Sequence, residues 1–243
     1  MRQAVGLPMI EAMPDPVSPF TSTILPIGVT RLAAHPNVVM AVLVGRTGPI
    51  IVEYDGARVT GDVLLVRPGV VHSVTLAEHG ADVVYLNGLT FPFEAPLAVA
   101  LKGILEQLAR RSVGGDRGAI EELRARLAFA TSPLPVKIAD IVRATQADPM
   151  RRMTQDELAR YLDMERTRAL RCFKAATGLT FRRFKLWSGL QHAALQMAGH
   201  ALVRTAAIDA GFADTAHLSR AFGSMFGLSP STAIAGLDDR GSE

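Results

Sequence analysis

Thr215, Ala216, Ser219 and Arg220 are small, hydrogen-bonding or cationic, and their spacing puts them on one face of a short helix. Leu218, Ala221, Phe222, Met225 and Phe226 recur at intervals of three and four and form the opposite, apolar face. Asp214 can cap this helix, and Phe226-Gly227 followed by Ser229-Pro230 ends it and turns the chain. A helix with one packed face and one small, polar, cationic face suits the DNA major groove, where donors and acceptors on base edges are read. A second face of this kind lies upstream. Between Glu165 and the stop at Gly178, Ala169, Cys172, Phe173 and Ala176 make an apolar stripe. Arg166, Thr167, Leu170, Arg171 and Lys174 are left pointing outward.

The elements that must hold these faces are also legible. Thr154-Gln155-Asp156-Glu157 is a capping-box signature, and Leu158, Ala159 and Leu162 give the helix after it a packed side. Asp163 stands where the chain must bend through a left-handed residue, a conformation Asp tolerates better than most. From about Phe181 to Ala198 runs a longer helix, some 27 Å at about 1.5 Å per residue. That length can hold two reading helices about one DNA turn, roughly 34 Å, apart.

Together these motifs resemble the AraC/XylS family of bacterial transcription regulators over about residues 136–237. The strings that carry the resemblance are FKAATGLTF, the long middle helix, and VRTAAIDAGFADTAHLSRAFGSMFGLSP. Asp163 replaces the family's usual Gly, Glu165 stands where a Ser cap is frequent, and Gly189 where an Arg is common. A mid-helix Gly costs about 1 kcal/mol against Ala, so a bend is expected there. The resemblance implies double-stranded promoter DNA as partner, with RNA polymerase and a second copy of the chain as further partners. It aligns Thr167, Leu170 and Arg171 with base edges. Of these, Arg171 can make the two-pronged contact to guanine, whereas Arg166 and Lys174 flank it toward phosphates.

Charge follows the same division. Residues 1–150 hold 13 Lys/Arg against 14 Asp/Glu, and residues 151–237 hold 12 against 6. The half with the paired helical motifs is the basic half, as phosphate neutralisation requires. The one cysteine, Cys172, excludes a disulfide within the chain and a multi-cysteine zinc site, and on an apolar face it reads as a packed thiol. No run approaches the roughly 20 apolar residues of a membrane span, and no basic-then-apolar signal opens the chain, so a cytoplasmic protein is expected.

The N-terminal half reads as strands. Val38–Val44, Pro49–Tyr54, Val63–Arg67, Val70–Leu76 and Asp82–Leu86 are short aliphatic runs between turn residues, with Asp55-Gly56 a two-residue hairpin signal. GDVLLVRPGVVHSV is similar to the strand–turn–strand segment of cupin-like sensor domains, which implies a small barrel that takes an effector. Arg67 and His72 are then candidate polar anchors for that small molecule. His72 matches a metal-binding position of cupin enzymes, but the HxH pair and following Glu are missing, so no metal or other cofactor is expected. After Pro92 and Pro96 come two amphipathic stretches, Leu97–Arg111 and Ala119–Ala130, which either mediate dimerisation, as the resemblance implies, or pack on the barrel. Thr131–Pro135 is the candidate linker.

The expected fold class is therefore α+β. A cupin-like small β-barrel with a helical pair, residues 1–131, precedes an all-α double helix-turn-helix domain, residues 132–243. The expected function is an effector-controlled DNA-binding regulator, not an enzyme. The alternative is a cupin-type metal-dependent enzyme with a DNA-binding appendage.

Overall fold

The structure, a computed structural model, describes residues 22–89, 96–128, 134–151, 153–199 and 201–238. Strands occupy its first part: β1 (Ser22–Ile27), β2 (Arg31–Pro36), β3 (Met40–Gly45), β4 (Ile50–Tyr54), β5 (Ala57–Gly61), β6 (Val63–Val66), β7 (Val71–Thr75), β8 (Ala81–Leu86) and β9 (Ala98–Ala100). They form two antiparallel sheets, ordered β1-β8-β3-β6-β9 and β2-β7-β4-β5. The β4–β5 hairpin turns at Asp55 and Gly56, both at positive φ (45° and 74°), the conformation for which Asp-Gly is selected.

The continuous apolar runs of β3, β6 and β8 have a physical cause: their sheet is covered on both faces. Ala41, Leu43, Leu64, Val66, Val83 and Tyr85 face the inside of the barrel. Their alternating neighbours Met40, Val42, Val44, Val63, Leu65, Val84 and Leu86 face outward, against α1 (Ile104–Val113) and α2 (Arg117–Leu127). Leu108, Ala109, Ala119 and Leu123 complete that second core, so the helical pair spends its apolar stripe on the barrel wall.

One expectation is revised here. Residues 98–100 form β9, paired with β6 through Leu64↔Ala100, Leu65↔Val99 and Val66↔Ala98, and the helix begins only at Ile104. An Ala-containing edge strand has little β signal of its own, so tertiary pairing overrides local propensity. β2, with sequence RLAAHP, escaped notice for the same reason. Pro92, residues 129–130 and most of the Thr131–Pro135 linker lie outside the described residues, as do residues 1–21 and 239–243.

The C-terminal part contains α3 (Val136–Ala147), α4 (Gln155–Leu162), α5 (Arg166–Thr177), α6 (Phe181–Ala198), α7 (Val203–Asp209), α8 (Thr215–Phe226) and α9 (Pro230–Asp238). Its packing is divided unequally. The α4–α5 unit has a core of its own with α3 and the start of α6. The α7–α8 unit shares one continuous core with the barrel interior. Among the described residues, no helix is long and apolar enough to cross a membrane.

Candidate nucleic-acid interface

The first unit is shaped by its caps. Thr154 Oγ1 accepts from the Glu157 N–H at 3.1 Å, and Glu157 Oε2 accepts from the Thr154 N–H at 2.6 Å, the reciprocal capping box. The Thr154 backbone N–H, foremost, holds the Glu157 carboxyl below its ordinary pKa. Asp163 adopts φ 55°, ψ 49°, the left-handed bend read from the sequence. Glu165 takes the role of a Ser cap: its carboxylate accepts from the N–H groups of Thr167 (2.9 Å) and Arg168 (3.1 Å), which lower its pKa. Behind α4 and α5, Phe173 lies 5.2 Å from the Phe181 ring and 5.5 Å from Phe184, in a core closed by Ile138, Ile141 and Val142 of α3.

On the outer side Arg166, Thr167, Arg171 and Lys174 are exposed. Arg166 is already engaged, with Gln155 Oε1 at 2.5 Å and an Asp156 oxygen at 3.7 Å. Arg171 and Lys174 are exposed and make no ion pair within 4 Å among the described residues, although Arg171 is near enough to Glu165 to help lower its pKa. Leu170 departs from the outward placement read from the sequence. It is half-buried against the α4–α5 core, because a Leu at the edge of the stripe gains more from packing than from water. Arg168, which the stripe analysis passed over, is exposed beside these residues.

In the second unit, Asp214 accepts from the His217 N–H at 2.6 Å and starts α8. Thr215, Ala216 and Arg220 are exposed and Ser219 is half-buried, while Leu218, Ala221, Phe222 and Phe226 are buried. The connecting α6 runs unbroken over 18 residues. Gly189 produces no break. A Cβ there would stand 2.8 Å from the Ala210 carbonyl oxygen and 3.5 Å from the Phe212 ring, so glycine lets α6 and the turn after α7 approach closely.

The far end of α8 is seated on the barrel. Gly227 closes the helix at φ 71°, and its carbonyl accepts from the Ala33 N–H of β2 at 2.8 Å. A Cβ on Gly227 would lie 2.5 Å from both the Ala33 oxygen and His35 Nδ1. His35 and His72 face each other across β2–β7, ring centroids 4.8 Å apart, and each Nδ1 donates to a main-chain carbonyl, Ala33 and Val70 respectively. Burial, foremost, pushes His35 down to about 4 and lowers His72 as well. His72, expected among the effector anchors, thus belongs to a buried pair under the α8 seat. Arg67 is half-buried after β6, where its N–H donates to Leu97. Among the described residues, no group of three His, Cys, Asp or Glu side chains is placed to hold a metal ion.

Two concavities adjoin this seam. One, between β1, β8 and α6, α8, α9, is apolar but has room for only about 20 Å³. The other is a cleft of about 410 Å³ where β2, α6 and α8 meet. Pro36, Leu186 and Met225 supply apolar walls, and Arg182 and Arg183 from the first turn of α6 supply charge. Only the second reaches the roughly 300–1,000 Å³ usual for small-molecule sites.

A family described as a helix-turn-helix domain matches residues 158–235, from the middle of α4 into α9. Over those residues the chain is similar to a helix-turn-helix domain. No curated protein matches the chain in sequence. Among solved structures, ToxT from Vibrio cholerae is similar at 11% identity and TM-score 0.58, over 89% of this chain and 97% of that one. ToxT bound to (E)-4-(8-methylnaphthalen-1-yl)but-3-enoic acid is similar at 12% and 0.59, over 89% and 97%. Unsaturated fatty acid-bound ToxT is similar at 14% and 0.53, over 88% and 93%. At these identities what is shared is the fold: a β domain followed by a helical domain.

Proposed function

We propose that the chain regulates transcription by reading two successive major-groove segments with α5 and α8, under control of an organic acid bound at the barrel seam. The observation that carries the reading is the pair of capped helices, each with one buried face and one polar or cationic face, joined by the unbroken α6. Arg171 reads a base, Lys174 meets phosphate, and Thr215, Ala216, Ser219 and Arg220 line the second contact. The effector class follows from the cleft: two guanidinium groups, unpaired among the described residues, beside apolar walls suit a carboxylate with a hydrocarbon body. The ligands named for ToxT, both organic acids with apolar bodies, support that class. Arg182 and Arg183 replace Arg67 and His72 as the anchors in this reading.

The enzyme alternative finds less support, since among the described residues His72 has only His35 as an imidazole neighbour and both rings are buried. RNA polymerase and a second copy of the chain remain the further partners of the reading.

The test is to select DNA fragments with the full chain, then footprint them with and without an unsaturated fatty acid. Protection of two segments one turn apart, altered by the acid in the wild type but not in R182Q/R183Q, is the expected result. One protected segment, or an acid effect that survives the double substitution, would sink the corresponding half of the reading. Turnover of a substrate with stoichiometric bound iron or manganese would instead revive the enzyme.

A further inference from the structure

Where β8 ends, the chain turns at Asn87, and four buried side chains from distant parts of the sequence meet there. The Trp187 indole N–H donates to Asn87 Oδ1 at 2.6 Å. Asn87 Nδ2 donates to Gln191 Oε1 at 3.2 Å, and Gln191 Nε2 donates to Thr23 Oγ1 of β1 at 2.7 Å. From the other side, the Arg124 guanidinium of α2 donates to the Asn87 main-chain carbonyl. Thr23, Asn87, Arg124, Trp187 and Gln191 are each at most 6% exposed. The directions of these bonds are not interchangeable. An indole N–H can only donate, so Asn87 must turn its oxygen to Trp187 and its amide to Gln191. Gln191 must then present its own oxygen to Asn87 and its amide to Thr23.

We infer that Asn87 is a positioning residue that couples the α1–α2 pair to α6, the helix that spaces the two readers. This rests on the proposed reading of DNA by both units. A buried polar chain contributes little net stability compared with apolar packing, but it discriminates sharply between arrangements. Sliding α6 along the barrel would break the Trp187 and Gln191 bonds together and leave their partners buried and unsatisfied. Asn87 lies just past the last ladder residue, Leu86, and before Gly88 at φ 72°, so it can shift without disturbing strand pairing. A change in how α2 sits on its sheet, by a second copy of the chain or otherwise, therefore moves the Asn87 carbonyl and, through the side chain, α6. Arg124 acts on the readers without touching them.

Trp187 is the chain's one tryptophan, so its emission reports this node directly. In the full chain, R124M should shift Trp187 emission and lower affinity for two-segment DNA about tenfold, with single-segment affinity unchanged. Q191L should do the same, and the R124M/Q191L double variant should be no worse than either alone. If R124M does not fold, N87D serves: it keeps the oxygen facing Trp187 and removes the donor to Gln191, with the same outcome expected. Multiplying effects in the double variant would overturn the coupling. So would a lowered melting temperature with emission and the affinity ratio as in the wild type. A wild type that binds neither DNA would instead refute the two-reader function, and emission changes in the variants would then decide the coupling alone.

Discussion

The two helix-turn-helix units, α4–α5 and α7–α8, have similar local design and opposite surroundings. α4–α5 closes its own core with α3 and the first turn of α6, and its caps are satisfied within the unit. α7–α8 has no such closure. Trp187 and Phe226 lie 5.2 and 5.6 Å from Tyr85 of β8, and 5.5 Å from each other, so the second unit plugs the barrel. The difference teaches that the first unit is held to the rest of the molecule chiefly through α3 and α6. The second must carry the barrel's state with it, since conformational change passes through shared packing that has discrete arrangements. Cutting the chain at residues 131–135 would expose the aromatic cluster rather than release a finished domain.

The sharpest way to break this contrast is a pair of core deletions. Phe226→Ala and Phe173→Ala should each cost about 3–5 kcal/mol. Hydrogen exchange should show β1 and β8 losing protection with α8 in the first variant, whereas the second loosens only α3, α4 and α5. Unchanged protection of β8 in Phe226→Ala would mean that the second unit folds apart from the barrel.

A pH titration sharpens the same seam. His35 has a folded pKa of about 4, below its unfolded 6.5, so the unfolded chain takes up the proton first. The stability held by the neutral ring is full above pH 6.5 and lost between 6.5 and 4, at most about 3.5 kcal/mol at about 1.4 kcal/mol per unit. His72 shifts in the same direction and steepens the loss. Melting temperature against pH should flatten in His35→Asn. Equal slopes in variant and wild type would remove the imidazole pair from the seam's energetics.

On the DNA side, Arg171→Ala should lose about 1–3 kcal/mol of specific binding and relax preference at one base pair. Lys174→Ala should weaken all sequences alike and reduce the salt slope by about one. Binding measured across sequences and salt concentrations separates them, and identical uniform losses would erase the division between base and phosphate contacts. The smallest effect belongs to the cap. Thr154→Ala should cost about 1 kcal/mol and raise exchange in α4 alone, leaving the barrel and α8 as they were. Spread of that effect to β8 would mean that the first unit is not independent.

Much of the reader half was legible because its signals are local. The Thr154–Glu157 box, Asp163 at a left-handed bend, Asp214 as cap and Gly178 and Gly227 as stops each act within a few residues of chain. The span of α6, Phe181–Ala198, followed from the same punctuation. Leu170 and Gly189 were read less well, because their roles depend on neighbours far along the sequence. β2 and β9 lacked a local signal, and Arg182 and Arg183 gave no hint of a cleft, since its other walls come from Pro36 and Met225.

By itself, then, the sequence determined the periodicities, the caps and turns, the strand-rich half, the basic half and most of the polar or cationic faces of α5 and α8. These arise from short-range sterics, hydrogen bonding and the segregation of apolar side chains. Only the tertiary structure decided that α7–α8 plugs the barrel, that His72 pairs with His35 beneath Gly227, and that Asn87 joins α2 to α6. Each depends on residues dozens to more than a hundred positions apart, brought together by burial of a common apolar surface that no local pattern encodes.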